Sequence, residues 1–365
     1  MGNRRPEVSA VGTKILCNVE RENLAAISPA CRHNSVSGPI MTAYPTRREL
    51  LRTSLGLPAI SLRTGIFPVG KTVKVDHKEP KADRRGMKLS LSVRVAETTE
   101  DKEKSSLTLD DLINLARRHD YEALCMRPSQ TGIHAPPEKI TTLSRKIRDA
   151  GLVVSMVTGD LAVPRNNERG PLGLRNITPY LNLAEAFGAN LIRICMKREE
   201  DIRWARRACD EARERRLRLA HQTHLASLFE TVEGSLYTLK AVGRKNFGVI
   251  YEPENWMIAG QNYGRETIEQ LRPYIFNVYV QNHRLHPHGK LSADTSGRGE
   301  VRFNPIGLWD KGGVNFREVF GGLRSIDYRG FVTVHQTLSD LIPVEVAVER
   351  SSKFLKAVAA LTDSE

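Results

Sequence analysis

The chain is 365 residues long, 40% hydrophobic and 27% charged, with a formal net charge of +13. That balance belongs to a folded globular protein, and no stretch approaches the roughly 18 consecutive apolar residues of a membrane-spanning helix. Five cysteines (Cys17, Cys31, Cys125, Cys195 and Cys209) form no C-x-x-C pair, which argues against a disulfide framework and against a cysteine zinc site.

Residues 1–86 carry 15 Lys and Arg against 7 Asp and Glu, so most of the positive excess sits there. A solvated or targeting tail fits this better than a nucleic-acid surface, and no basic patch interleaved with aromatics follows in the rest of the chain. The leader shows no sustained periodicity. Within 41–70, Thr46-Arg47-Arg48-Glu49-Leu50-Leu51-Arg52 precedes T-S-L-G-L-P-A-I-S-L. Paired arginines before a weakly apolar core resemble a twin-arginine export signal, with Met41 as the start and the periplasm as destination. Arg63 interrupts that core and no A-x-A site follows. A basic leader on a cytoplasmic protein, or translation from Met87, therefore stays open.

From Met87 onward, apolar strand-like runs alternate with amphipathic helical ones, the pattern of repeated βα units. Strand 89–95 precedes helix 109–118. Strand 123–126 precedes a helix opened by Pro136-Pro137-Glu138, where proline is pre-set for a first turn. Gly151 stops that helix before strand 152–157. Helix 179–188, strand 190–196, helix 198–216 and strand 217–222 follow, then helix 232–242, strand 247–252, helix 264–272 and strand 275–281. A long polar loop over 283–312, helix 316–325, strand 331–335 and helix 343–361 complete the chain. Eight strands and eight helices predict a (β/α)8 barrel over 87–365. The competing doubly wound sheet lacks a G-x-G-x-x-G after its first strand, and with it a nucleotide cofactor. Cys125 and Cys195 fall within strands and read as buried thiols.

Four strands end in polar clusters: L-R-L-A-H-Q-T-H (217–224), Y-E-P-E-N (251–255), Y-V-Q-N-H-R (279–284) and V-H-Q (334–336). Barrels build their active sites at such strand ends. Further segments are A-F-G-A-N-L-I-R (186–193), G-G-V-N-F (312–316) and Y-R-G-F-V-T-V-H (328–335). In this order and spacing, residues 87–360 resemble the xylose isomerase-like TIM barrels, a superfamily of sugar isomerases, sugar epimerases and endonuclease IV-type enzymes.

The resemblance implies one divalent metal at the barrel mouth, on ligands that fall at Gln222, Glu252, Tyr279 and His335. None is the superfamily's usual residue: Gln222 and His335 replace glutamates, Glu252 an aspartate and Tyr279 a histidine. Period-two alternation places Gln281 on the face of Tyr279. The expected ligand set is therefore Gln222, Glu252, Gln281 and His335, suited to Mn2+, Co2+ or Zn2+ over Ca2+ or Mg2+; loss of the metal is the alternative. Glutamine has no usable proton-transfer chemistry, which closes the two-glutamate epimerase route. His335, Glu252 and His224 are the catalytic candidates, since imidazoles and carboxylates can exchange protons. Lys197, Glu254, Asn255, Tyr279 and Arg284 are expected to meet substrate. His221 is expected to pack away from the mouth, and His283, His286 and His288 to lie in an exposed loop. Asp160 and His134 sit within reach without an assigned role, and Arg203–Arg207 reads as a solvated helical face.

The expected function is a metal-assisted, isomerase- or epimerase-like enzyme acting on a sugar or sugar derivative by proton transfer next to a carbonyl. A lyase acting on an oxidised (keto) sugar and a non-catalytic sugar-binding barrel are the alternatives. One strand-end carboxylate is too few for a three-zinc nuclease. The partner expected is a small carbohydrate, with no nucleic acid and no membrane insertion; homo-oligomerisation stays open.

Overall fold

The computed structural model describes residues 86–98 and 101–361; the leader and its export signal lie outside the described residues. In chain order the strands are β1 (Lys88–Ser92), β2 (Ala123–Met126), β3 (Val153–Thr158), β4 (Leu191–Ile194), β5 (Arg218–Gln222), β6 (Phe247–Tyr251), β7 (Ile275–Val280), β8 (His283–Leu285), β9 (Leu291–Thr295), β10 (Gly299–Pro305) and β11 (Phe331–Val334). Strands β1 to β7 and β11 pair in parallel and close in the order β1-β11-β7-β6-β5-β4-β3-β2. This is the (β/α)8 barrel that the alternation predicts.

Alternation along each strand sorts side chains into two layers. Leu219, Val249, Val278 and Val332 join the large apolar cluster that also contains residues of the helices. Ala220, Ile250 and Tyr279, one position on, fill the barrel interior with Cys125, Met156 and Leu191. Two residues further along each strand lie Gln222, Glu252 and Gln281. The same period carries Arg127 from strand β2, Arg193 from β4 and His335 from β11 to the interior side. The mouth is therefore built by register, and a one-residue slip would empty it.

Helix ends follow their local chemistry. Leu109–Arg118 opens on a capping box, in which Thr108 Oγ1 accepts from Asp111 N (3.2 Å) and Asp111 Oδ2 accepts from Thr108 N (3.0 Å). Thr178–Phe187 ends at Gly188, whose φ of 65° is the left-handed cap that glycine adopts without a Cβ penalty.

Three departures from the sequence expectation bear on the site. The first strand stops at Ser92, whose hydroxyl accepts from Arg94 N (3.3 Å) and turns the chain into the 3-10 helix Val93–Ala96. Residues 253–259, between the expected strand 247–252 and helix 264–272, form the helix Pro253–Ala259, with proline in its first turn. The expected polar loop 283–312 contains the antiparallel sheet β8-β10-β9. Its apolar face (Leu291, Ala293, Val301, Phe303) packs on Leu225, Ile258 and Ala259. The alternation Leu291, Ala293, then Val301, Phe303 around T-S-G-R-G is a hairpin signal hidden among polar residues.

Candidate active site

A cavity of about 180 Å³ opens at the C-terminal ends of the strands. Strands β5 to β7 present amides and acids to it. Gln222 donates to Glu252 Oε2, and Asn255 Nδ2 donates to the same oxygen at 2.5 Å and to Thr223 O at 2.8 Å. Glu252 is fully buried, and desolvation, helped by the neighbouring Glu254, pushes its pKa up to about 8 against the pull of Gln222, Arg94 and Arg193. Its Oε1 and Gln222 Oε1 are buried with no hydrogen-bond partner among the described residues.

Glu254 lies on the cavity wall with both oxygens engaged. Oε2 accepts from Gln281 Nε2 (2.8 Å), and Oε1 meets His283 Nδ1 at 2.6 Å. His283 packs edge-on against Phe303, with ring centroids 4.9 Å apart. Its position is fixed from behind by Asn282, whose Oδ1 accepts from Val314 N (2.9 Å) and whose backbone is bracketed by the Gln336 amide (3.2 and 2.8 Å). A Cβ at Gly313 would run into Asn282 Oδ1 and the His283 carbonyl oxygen, so only glycine lets this loop close on the strand end.

The other side of the mouth is cationic, and sequence reading missed it. Arg94, Lys102 and Arg193 line the cavity. Arg127 is spent on Glu97 in a bidentate pair (2.8 and 2.7 Å) with both side chains 1% exposed, and Ser129 Oγ adds a bond to Glu97 Oε1 (2.7 Å). The signal available was an arginine at an inward position on strands β2 and β4; a charge on that face must be paired or functional.

The four positions that the resemblance assigns to a metal do not form one donor set. Tyr279 is a buried phenol, held well above its ordinary pKa by desolvation, with its hydroxyl 3.3 Å from Cys125 Sγ. The His335 ring lies flat on it at 3.7 Å, with Nδ1 3.1 Å from Ser92 Oγ. Burial and then Arg94, Arg127, Arg193 and Lys102 hold the His335 pKa well below its usual range. Gln281 turns to Glu254, not to Glu252. Among the described residues no three His, Cys, Asp or Glu side chains cluster as metal ligands do. The unpartnered atoms Gln222 Oε1, Glu252 Oε1 and His335 Nε2 are lone-pair donors. Two neutral donors and a single carboxylate that faces Arg94 and Arg193 nevertheless offer a divalent cation little compensating charge. The residues present do not fit the metal.

The remaining expectations divide. His224 lines the cavity beside Asn255; burial, then Arg193, lowers its pKa to about 3, so it is a neutral imidazole. His221 packs, as expected, stacked on Phe229 at 4.4 Å. Lys197 does not reach the cavity: its Nζ bonds Asn166 O (2.8 Å) and sits 3.7 Å from Glu168. Arg284 is also turned away, because alternation in β8 sends His283 inward and Arg284 outward to the Lys311 carbonyl (2.5 Å). His283, expected in an exposed loop with His286 and His288, is instead at the site. Asp160 and His134 line a separate cavity of about 490 Å³, where Asp160 accepts from Tyr180 (2.5 Å). Residues 203–207 fall on the helix Asp201–Glu214.

No curated protein sequence matches the chain. Among solved structures, the chain is similar to a probable 3-DHS dehydratase, AsbF, involved in petrobactin synthesis in Bacillus anthracis (TM-score 0.55, 17% identity, covering 74% of this chain and 99% of that one). It is similar also to a xylose isomerase-like TIM barrel protein from Mycobacterium smegmatis in complex with magnesium (0.55, 14%, 75% and 97%). A third is a D-allulose 3-epimerase from Methylomonas sp. (0.53, 14%, 75% and 98%). At these identities the likeness speaks for the fold. The family model described as "Xylose isomerase-like TIM barrel" matches residues 113–358, most of the barrel, and the chain belongs to that family.

Proposed function

We propose that this barrel is an enzyme that moves a proton on a hydroxylated small molecule of the carbohydrate class, with Glu254 and His283 as its acid–base pair. The observation that carries the reading is their 2.6 Å contact in the wall of the mouth cavity. Glu254 holds a proton on His283 Nδ1, which leaves Nε2 as the basic position. Gln281 fixes the second Glu254 oxygen, so the pair is oriented before substrate arrives. His283 takes the proton from the carbon next to a carbonyl, and the C–H electron pair moves onto the carbonyl oxygen. The proton's return to the former carbonyl carbon, with the hydroxyl proton passing between the two oxygens, gives an isomer; its delivery to a β-hydroxyl, whose C–O bond breaks as the electron pair returns, gives water and an unsaturated product. One neighbour in fold is a probable dehydratase, which is in keeping with the second outcome. Glu252 and His335, the catalytic candidates of the sequence, are fully buried and do not line the cavity. No step uses a metal.

The test is exchange of carbon-bound hydrogen for solvent deuterium, followed by NMR over a panel of aldoses, ketoses and keto sugar acids. Exchange is expected with at least one of them, unchanged by prior dialysis against a chelator. His283→Ala and Glu254→Gln should each slow it by about 10²–10⁴. Saturable binding without exchange would make the protein a sugar-binding barrel instead.

A further inference from the structure

Three of the four cations of the mouth have no ion-pair partner among the described residues. Arg127 is closed on Glu97, but among the described residues Arg94, Lys102 and Arg193 form no hydrogen-bonded ion pair: Glu254 is engaged by Gln281 and His283, and Glu252, near enough to feel Arg94 and Arg193, bonds only Gln222 and Asn255. Arg193 is 3% exposed, its Nε has no hydrogen-bond partner, and its guanidinium sits 5.9 Å from the centre of the Tyr279 ring. Lys102 Nζ donates to the Pro164 carbonyl at 3.1 Å. Burial, then Arg94, Arg127 and Arg193, pushes its pKa down to about 7. The same groups bear on His335, and Arg193 and Lys102 on His224. Three like charges gathered around one cavity, one of them almost wholly desolvated, are unfavourable on their own. An anion among them converts that cost into charge-assisted hydrogen bonds.

We propose that Arg94, Lys102 and Arg193 form an oxyanion subsite that holds a carboxylate or phosphate group of the substrate. The cavity then divides by chemistry: side-chain cations grip the anionic end, while Gln222, Asn255 and the Glu254–His283 pair face its hydroxylated carbons. The substrate class narrows to sugar acids and sugar phosphates. The inference rests on the mouth being the substrate site, but binding alone tests it, so it can stand where the acid–base pair fails, and the reverse.

The experiment is calorimetric titration of the full chain with D-glucuronate, D-glucose 6-phosphate, inorganic phosphate and D-glucose. At least one anionic sugar should bind about tenfold or more tightly than glucose, since a hydrogen bond to a charged group is worth about 1.5–3 kcal/mol. Preference for glucuronate identifies a carboxylate subsite, and preference for the 6-phosphate identifies a phosphate one. Arg193→Gln and Lys102→Gln should each weaken the preferred anion about tenfold and leave glucose unchanged. Lys102 makes one carbonyl contact, so its variant remains informative if the arginine variant does not fold. Equal binding of glucose, undiminished anion binding in the Lys102 variant, or no saturable anion binding at all overturns the subsite.

Discussion

The two sides of the mouth solve burial of polar groups in opposite ways. On strands β5 to β7, acids and amides bond one another: Gln222 to Glu252, Asn255 to Glu252, Gln281 to Glu254. On the side of β1, β2 and β4, four cations gather and only Arg127 is ion-paired, to Glu97. Side chains that bond one another hold their positions, whereas an open set of charges stays poised for a partner. Where the sequence resemblance implied a metal, this mouth sets Glu252 and Glu254 opposite Arg94, Lys102 and Arg193. Positive charge is retained, on side chains.

The largest expected effect comes from breaking the one closed pair on the cationic side. Arg127→Met leaves Glu97 buried without its guanidinium, with Ser129 Oγ as a remaining donor. It should cost about 3–5 kcal/mol of unfolding free energy. Adding Glu97→Gln should recover most of that loss, because the uncompensated charge is gone. Urea unfolding of the single and double variants measures both, and a loss below about 1 kcal/mol would mean that Glu97 finds another counter-ion.

A smaller effect is expected from making the amide side more acidic. Gln222→Glu sets a second carboxylate against Glu252, and one of the two must keep a proton. Mn2+ should still fail to stabilise that variant against heat, because Arg94 and Arg193 remain. Combined with Arg94→Ala, Mn2+ should raise the midpoint in a concentration-dependent way, as ligand binding to the folded state requires. Mn2+ stabilisation of the unaltered chain would reverse the contrast between the two sides.

How much of this was legible in the sequence follows from what each signal depends on. The barrel was readable because β/α alternation is local and repeated, and the inward positions of Gln222, Glu252, Gln281 and His335 follow from period two. Their partners were not readable, because Gln281 chooses between Glu252 and Glu254 by the path of the helix Pro253–Ala259, which falls between the expected strand 247–252 and helix 264–272. The three-stranded sheet β8-β10-β9 was hidden by exposed charged residues between its apolar ones, and with it the inward turn of His283. Arg94 escaped because Ser92 ends the strand early. Arg127 and Arg193 were in plain view; an arginine beside an apolar strand reads as surface until the strand's inward face is known.

The finest probe of the contrast is the pH dependence of stability through Glu252. Its carboxyl titrates near 4.5 ordinarily and near 8 in the fold. Between those values the folded chain binds more protons than the unfolded one, so the contribution of this group to stability falls as pH rises from about 4.5 to about 8 and is level beyond. Glu252→Gln keeps an oxygen to accept from Gln222 and Asn255 and removes the titration. Lys102, depressed to about 7 by burial and by Arg94, Arg127 and Arg193, acts with the opposite sign over a higher window: the unfolded chain binds the extra proton, and stability rises from about pH 7 toward 10.5. His221 and His224, neutral in the fold, weaken it only as pH falls below about 6.5. These terms are common to the native chain and the variant, so the difference between their unfolding free energies isolates Glu252. That difference should be near its minimum around pH 4 and grow in favour of the variant up to about pH 8. A flat difference across that range would mean that Glu252 is ionised in the fold, with Arg94 and Arg193 as its counter-ions, and that the two sides of the mouth are one network.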